Sequence, residues 1–232
     1  MLAATPLRMA HNLVHPAPSP AAFPFSQIAH QVITIGRDAE VYSEACPASH
    51  VYKVLSGTLR TAKLLADGRR QVGSFVFAGE WVGFDGGLTH FYAAEAVSEA
   101  RLLSFARRDL ERLMAEDRDA ARIVEGVLCD SLAAAFERIV SLGRKSATER
   151  VASFLVDIEG RIAERSKGGF VLPMSRGDIA DYLGLTIETV SRTLGDLRRR
   201  HIIQVEDAHH VRILDPSHLA VLAGEDAQRY CA

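Results

Sequence analysis

Glu188 and Arg192 stand four residues apart in the stretch from Met174 to Arg200, MSRGDIADYLGLTIETVSRTLGDLRRR. An arginine donates two parallel hydrogen bonds to guanine N7 and O6, and a glutamate accepts from the cytosine amino group. The same spacing also suits an ion pair within one helix, in which the two charges serve only each other. Ser175, Arg176, Thr186 and Thr189 fall where helices would begin. Hydroxyls, a guanidinium and free N–H groups at helix starts suit phosphate oxygens. Enzyme chemistry has no comparable foothold. The sequence carries no HExxH, no GxSxG and no glycine-rich phosphate loop, the patterns that would announce metal, acyl or nucleotide chemistry. The β-type half offers only isolated His50 and His90, whereas a cupin-type metal centre needs a His-x-His cluster with a carboxylate; His11, His15, His30, His50 and His90 are available as single haem ligands. No catalytic residue, metal ligand or cofactor-binding residue is expected, and the chain is not expected to be an enzyme.

The elements that must position these groups are legible around them. Ser175 is a plausible N-cap for a short helix carrying Ile179, Ala180 and Leu183. Gly184 sits where a helix ends in a left-handed residue, and Leu185 can plug the space between two helices. Thr186 is a second N-cap, with Glu188 in the first turn and Val190, Leu194 and Leu197 as the inner face. Two short helices, a glycine turn and an apolar plug make a helix-turn-helix. Glu188, Ser191 and Arg192 then face outward as base contacts, with Ser175, Arg176, Thr186 and Thr189 as phosphate contacts. The runs Ile202–Val205 and Val211–Leu214, joined by residues 206–210, read as a β-hairpin that makes the module a winged helix. Arg198-Arg199-Arg200 adds local positive charge.

Upstream, Ser146-Ala147-Thr148-Glu149-Arg150 starts a helix carrying Val151, Phe154, Leu155, Ile158 and Ile162, ended by Lys167-Gly168-Gly169. From Asp117 to Leu142 the chain runs without proline, and Val124, Leu128, Leu132, Ala135, Ile139 and Leu142 recur at steps of 4, 4, 3, 4 and 3. That is close to the repeat of about 3.5 residues of a two-helix seam, so a dimer helix is favoured over packing on its own domain. Residues 28–105 alternate in short β-type runs: Val32–Ile35, Val51–Leu55, Thr58–Leu64 and Arg70–Val76. Asp67-Gly68 between the last two supplies the positive φ values of a tight hairpin turn. Regular short strands with glycine turns imply an antiparallel roll. The expected organisation is a flexible arm (1–24), a β-roll (25–115), a dimerisation helix (116–143) and a winged helix-turn-helix with a C-terminal tail (144–232): an α+β chain.

Composition agrees with an ordinary globular protein, 48% apolar and 24% charged over 232 residues. Lys and Arg number 27 against 29 Asp and Glu, a net charge of −2, so nucleic-acid affinity must come from a local site. No apolar run approaches the roughly 18 residues of a membrane span, and the first twenty residues lack the pattern of a secretory signal. Cys46, Cys129 and Cys231 form neither a CxxC pair nor a disulfide framework, which suits a reducing cytoplasm. Cys129, beside the seam residue Leu128, is expected to be a small buried apolar residue, and Cys231 to be accessible in a mobile tail.

A glycine-rich β-roll, a long dimer helix and the string LGLTIETVSRTLGDL together resemble the bacterial CRP/FNR transcription regulators, from about residue 28 to 215. Glu188-x-x-Ser191-Arg192 is similar to the FNR and FixK branch, which reads TTGAT-like half-sites in a palindrome. With the segment RKSATERVASFL, the chain looks most like FixK-type regulators of microaerobic and nitrogen-fixation genes. The resemblance implies that Glu188 and Arg192 read base edges with Ser191 against the half-site. It also implies a homodimer, acting mainly as an activator on double-stranded DNA and RNA polymerase. Cyclic-AMP binders resemble this chain at Gly79-Glu80 but follow with an Arg-Ser or Arg-Thr pair that holds the phosphate, where this chain reads Tyr92-Ala93. The cysteine cluster of oxygen-sensing FNR proteins is also missing. No cyclic nucleotide and no iron–sulfur cluster are therefore expected. The alternative is a sensor gated by haem or another small effector in the roll.

Overall fold

Short alternating strands punctuated by turns build the N-terminal half. In the computed structural model, which describes residues 24–162, 165–166, 169–207 and 209–224, these are β1 (His30–Ile35), β2 (Glu40–Tyr42), β3 (His50–Ser56), β4 (Leu59–Leu64), β5 (Arg70–Val76), β6 (Trp81–Val82), β7 (Ala93–Ala96) and β8 (Ala100–Ala106). They pair into two antiparallel sheets ordered β1-β8-β3-β6 and β2-β7-β4-β5. Val54, Leu59, Val82 and Leu102 fill the space between the sheets. The four expected strands all form. Those not singled out from sequence include two-residue β6 and alanine-rich β7, which carry little β-propensity of their own. The Asp67-Gly68 turn is wider than expected. Gly68 alone of the pair takes a positive φ, +83°; the Leu65 N–H donates to the Arg69 carbonyl at 2.8 Å, and Asp67 instead accepts from the Arg69 N–H at 3.0 Å. The expected arm up to residue 23, together with His11, His15 and Cys231, lies outside the described residues.

Helix α1 (Arg107–Glu116) leads into α2 (Arg118–Arg144), whose N-cap Asp117 accepts from the N–H groups of Asp119 and Ala120. The N-terminal end of α2 docks on the roll. Ala120 and Val124 are buried with Phe25, Phe105, Leu110 and Leu113, so Val124, at 2% exposure, is covered by its own chain. Beyond it the helix leaves the roll. Leu128, Leu132, Phe136, Ile139 and Val140 are between 43% and 66% exposed, Ala135 is exposed, and Leu142 is half-buried. Cys129 is also exposed, against expectation, because this part of α2 has no roll beneath it.

After α2, Ser146 caps α3 (Ala147–Arg161) through a reciprocal box with Glu149, as the sequence implies. The helix stops at Arg161, earlier than expected. Of the three residues assigned to its end, Lys167 and Gly168 lie outside the described residues. Gly169 opens a strand, β10 (Gly169–Val171), at φ +136°, where a Cβ would lie 2.3 Å from the Val211 carbonyl. That glycine serves close strand pairing rather than helix termination. The remaining elements are β9 (Arg165–Ser166), α4 (Arg176–Leu183), α5 (Ile187–Arg199), β11 (Ile203–Val205), β12 (His210–Ile213) and α6 (Pro216–Ala223). The wing hairpin β11–β12 belongs to a sheet ordered β11-β12-β10-β9. In place of a bare tail, α6 starts at Asp215 and Pro216 and buries Leu219, Ala220 and Ala223. One core joins the helices α3, α4 and α5 to Val72, Phe75, Phe77 and Val97 of the roll.

Candidate nucleic-acid interface

Two helix starts and one glycine set the geometry of the α4–α5 unit. Ser175 Oγ accepts from the Asp178 N–H at 3.1 Å, and Asp178 Oδ2 accepts from the Ser175 N–H and hydroxyl at 3.0 and 2.7 Å. At the other end Gly184 adopts φ 62°, ψ 42°, the left-handed cap that glycine takes without strain. A Cβ there would lie 3.3 Å from Leu142 Cδ2. Leu185 packs against the shared core. Thr186 then caps α5 by accepting from the Thr189 N–H at 3.2 Å. Val190, Leu194 and Leu197 are buried as the inner face, so the register read from the sequence is the register observed.

Ile187, Glu188, Ser191 and Arg192 consequently stand exposed together on the outer side of α5. The Glu188 carboxylate is held below its ordinary pKa by its own N–H and the Thr186 hydroxyl, so it is an anion at neutral pH and turns toward the helix start. Arg192 makes no ion pair or hydrogen bond among the described residues. The intrahelical Glu188–Arg192 pair is thus not adopted, and the planar guanidinium is free to engage an external acceptor. Thr189 is half-buried, with its hydroxyl 3.1 Å from that of Thr186. Ser175 is exposed at the start of α4. Beside it Arg176 is half-buried, its Nη1 shielded from solvent with no hydrogen-bond partner among the described residues. Ile187 was not foreseen: three residues before Val190, its spacing suggests the inner face, yet it is half exposed on the outer one.

Arg198 is exposed, whereas Arg199 and Arg200 pair with Asp196 at 3.0 and 3.9 Å, so only part of the arginine run is available. In the wing, Asp207 accepts from the His209 and His210 N–H groups at 2.7 and 2.8 Å. Those bonds and the His210 ring hold its pKa at about 2.

The roll has a second cluster around Gly79-Glu80 and Tyr92-Ala93. Glu80 accepts from Arg161 Nε and Nη2 of α3 at 3.0 and 2.9 Å and from the Phe77 N–H at 3.0 Å. Asp85 accepts from the successive N–H groups of Phe91 and Tyr92, both at 2.8 Å, and lies 3.1 Å from His90 Nδ1. The Tyr42 ring stacks on His90 at 3.6 Å. Burial, then the neighbouring Asp85 charge, push the Tyr42 hydroxyl well above its ordinary pKa. The Tyr92 ring sits where a side chain at position 73 would be, 2.9 Å from a Cβ built on Gly73.

Comparison with known proteins agrees with this architecture. Residues 149–222 match the Crp-like helix-turn-helix domain family and residues 33–117 the cyclic nucleotide-binding domain family. The chain is 39% identical over 210 residues to the nitrogen fixation regulation protein FixK of Rhizobium meliloti (strain 1021), spanning 90% of this chain and 92% of that protein. It is 40% identical over 186 residues to FixK of Azorhizobium caulinodans, spanning 79% and 75% of the two chains. The solved structure of FixK2 from Bradyrhizobium japonicum superposes with a TM-score of 0.80 at 38% identity, covering 84% of this chain and 98% of that one. A cyclic nucleotide, which the domain family implies, does not fit these residues. Glu80 is committed to Arg161, the N–H at Tyr92 is committed to Asp85, and neither an arginine nor a serine or threonine stands at Tyr92-Ala93 to hold a phosphate. With the roll, the long helix and the helix-turn-helix in place, the chain belongs to the CRP/FNR family of transcription regulators.

Proposed function

We propose that the chain is a FixK-like, sequence-specific DNA-binding regulator, mainly an activator, that reads a TTGAT-like palindrome as a homodimer. The observation that carries the reading is the outer side of α5, where an unpaired Arg192 stands beside an ionised Glu188 and an exposed Ser191. Arg192 bonds guanine through two parallel N–H groups, Glu188 accepts from the paired cytosine, and Ser191 lies against the half-site. Ser175, Arg176, Thr186 and Thr189 bind the flanking phosphates from the two helix starts. Arg176 suits this role by its place in the first turn of α4, partly exposed beside Ser175.

Dimerisation runs along α2. Leu128, Leu132, Ala135 and Ile139, joined by Phe136 and Val140, form an apolar stripe that a partner α2 covers, with Val124 and Leu142 at its ends. Each large side chain fully buried there contributes roughly 1.5–3 kcal/mol. A two-fold dimer places its half-sites about one helical turn of DNA apart. A cyclic nucleotide is not required, because Asp85 and Arg161 already engage the groups it would use, and the three scattered cysteines do not supply a four-cysteine iron–sulfur site within one subunit. The regulator acts in the cytoplasm with RNA polymerase as its partner, on microaerobic or nitrogen-fixation genes; the names of its relatives speak for nitrogen fixation. Selection of bound DNA from random sequence, using protein free of any added ligand, tests this reading. Recovery of a two-fold TTGAT-like site supports it; recovery of no symmetric site, or binding only after an effector is supplied, overturns it.

A further inference from the structure

The roll and the reading head are joined by more than the backbone between α2 and α3. Asp178, 4% exposed in the first turn of α4, serves two domains with one carboxylate. Its Oδ2 completes the Ser175 box, while Oδ1 accepts from Arg60 Nη1 of β4 at 3.2 Å and Arg70 Nη2 of β5 at 2.6 Å. Arg70 Nε also reaches Asp181 Oδ2 at 2.8 Å, and Gln71 Nε2 donates to the Asp181 carbonyl at 2.7 Å. Arg60 is oriented in turn by Glu95 at 2.6 Å. The exchange runs both ways, since Arg161 of α3 reaches into the roll to grip Glu80 and donates to the Phe75 carbonyl at 2.6 Å. Between the two ionic groups Phe75 packs on Phe154 and Tyr182, with ring centroids 6.3 and 5.1 Å apart.

An apolar contact alone would let the two domains slide over each other. Directional charge pairs resist this, most of all at Asp178 and Arg60, whose side chains are 6% and 11% exposed, because displacement leaves a buried charge uncompensated. Strand β5 is one edge of its sheet, and α4 packs against it through the Arg70 and Gln71 side chains. Ile187, Glu188, Ser191 and Arg192 remain exposed while these contacts are made. The joined state is therefore one in which the reading surface is open.

We propose that Asp178, held by Arg60 and Arg70, is a positioning residue for DNA reading: it fixes α4, and through the Gly184 turn α5, at one angle to the roll, so that a dimer presents its two reading helices at a single separation. The inference rests on the dimer-and-palindrome reading above. Arg70 carries the test because it touches α4 without taking part in the α4 cap. The full-length protein is titrated by fluorescence anisotropy with its selected palindrome and with versions one base pair longer or shorter between half-sites.

Wild-type protein is expected to prefer the native spacing at least about tenfold. Arg70→Gln is expected to shrink that preference below about threefold and to weaken binding at native spacing roughly ten- to hundredfold, as a fixed pair of heads becomes a loosely tethered one. Preference for the guanine under Arg192 stays intact, which an unfolded head would not allow. Asp178→Asn is expected to act in the same direction. Hydrogen exchange without DNA gives a second readout: amides of α4 and β5 exchange faster in Arg70→Gln while those of β1, β3 and β8 do not. Unchanged spacing preference in both variants, or unchanged exchange in α4 and β5, overturns the positioning role. A wild-type protein indifferent to palindrome symmetry overturns the dimer reading instead, and the exchange measurement still decides whether the joint exists.

Discussion

Arg192→Ala isolates base reading from folding, because the side chain has no hydrogen-bond or ion-pair partner to lose among the described residues. Arg192 is exposed and unpaired on α5, so its truncation should change stability by no more than about 0.5 kcal/mol, and alanine is as good a helix former. The whole effect then falls on DNA. One bidentate guanine contact contributes about 1–3 kcal/mol of discrimination, and a two-fold dimer makes it twice, for about 2–6 kcal/mol. At 1.4 kcal/mol per decade this is a loss of about thirtyfold to twenty-thousandfold in specific affinity. The assay is anisotropy against the selected palindrome and a set of single-base variants.

In that assay Arg192→Ala should bind every base at the affected position almost equally, with the salt dependence little changed. Arg192→Lys restores the charge but not the planar fork, so it should recover some affinity without the guanine preference. If Arg192→Ala keeps the full guanine preference, α5 does not present this side chain to that base, and the assignment of Glu188 to the paired cytosine falls with it.

Three further outcomes are expected. Replacing Leu132 and Ile139 by glutamate sets like charges against each other across α2, so the double variant should sediment as a monomer and lose palindrome binding; a normal dimer would mean that the stripe is not the interface. Calorimetry with cyclic AMP should show no binding, since the Tyr92 N–H and Glu80 are already occupied, and stimulation of DNA binding at physiological nucleotide concentration would overturn that reading. Arg176→Ala should weaken all DNA sequences about equally and reduce the slope of log affinity against log salt by about two for the dimer, one per phosphate contact; a selective loss at one base would instead make Arg176 a base reader.

The helix-turn-helix was legible because every signal in it is local. Ser175 and Asp178, Thr186 and Thr189, and Ala180 and Gly184 act within one helical turn, and capping chemistry at that range depends on little outside the segment. The roll was legible as a class, through glycines and alternation, but strands as short as Trp81–Val82 form only because β3 is there to pair with. Gly169 misled for the same reason: a glycine after a helical run suggests a stop, while its purpose lies at Val211, in a strand 42 residues on. Ile187 and Cys129 mark the other limit, since their spacing fits an apolar face and only the packing decides whether anything covers it.

The charges show what a sequence total conceals. A net charge of −2 would discourage any DNA-binding reading, yet the arginines are not distributed evenly between the two tasks. Arg60, Arg70 and Arg161 are each matched to carboxylates where roll meets head, at separations of 111 and 118 residues for the Arg70–Asp181 and Arg60–Asp178 bonds. Nothing in a local pattern could have matched them. Arg192 is left without a carboxylate among the described residues although Glu188 lies one turn away, its own carboxylate held below its ordinary pKa by its N–H and the Thr186 hydroxyl. Acidic residues thus neutralise the arginines that hold the head in place and spare the one proposed to read.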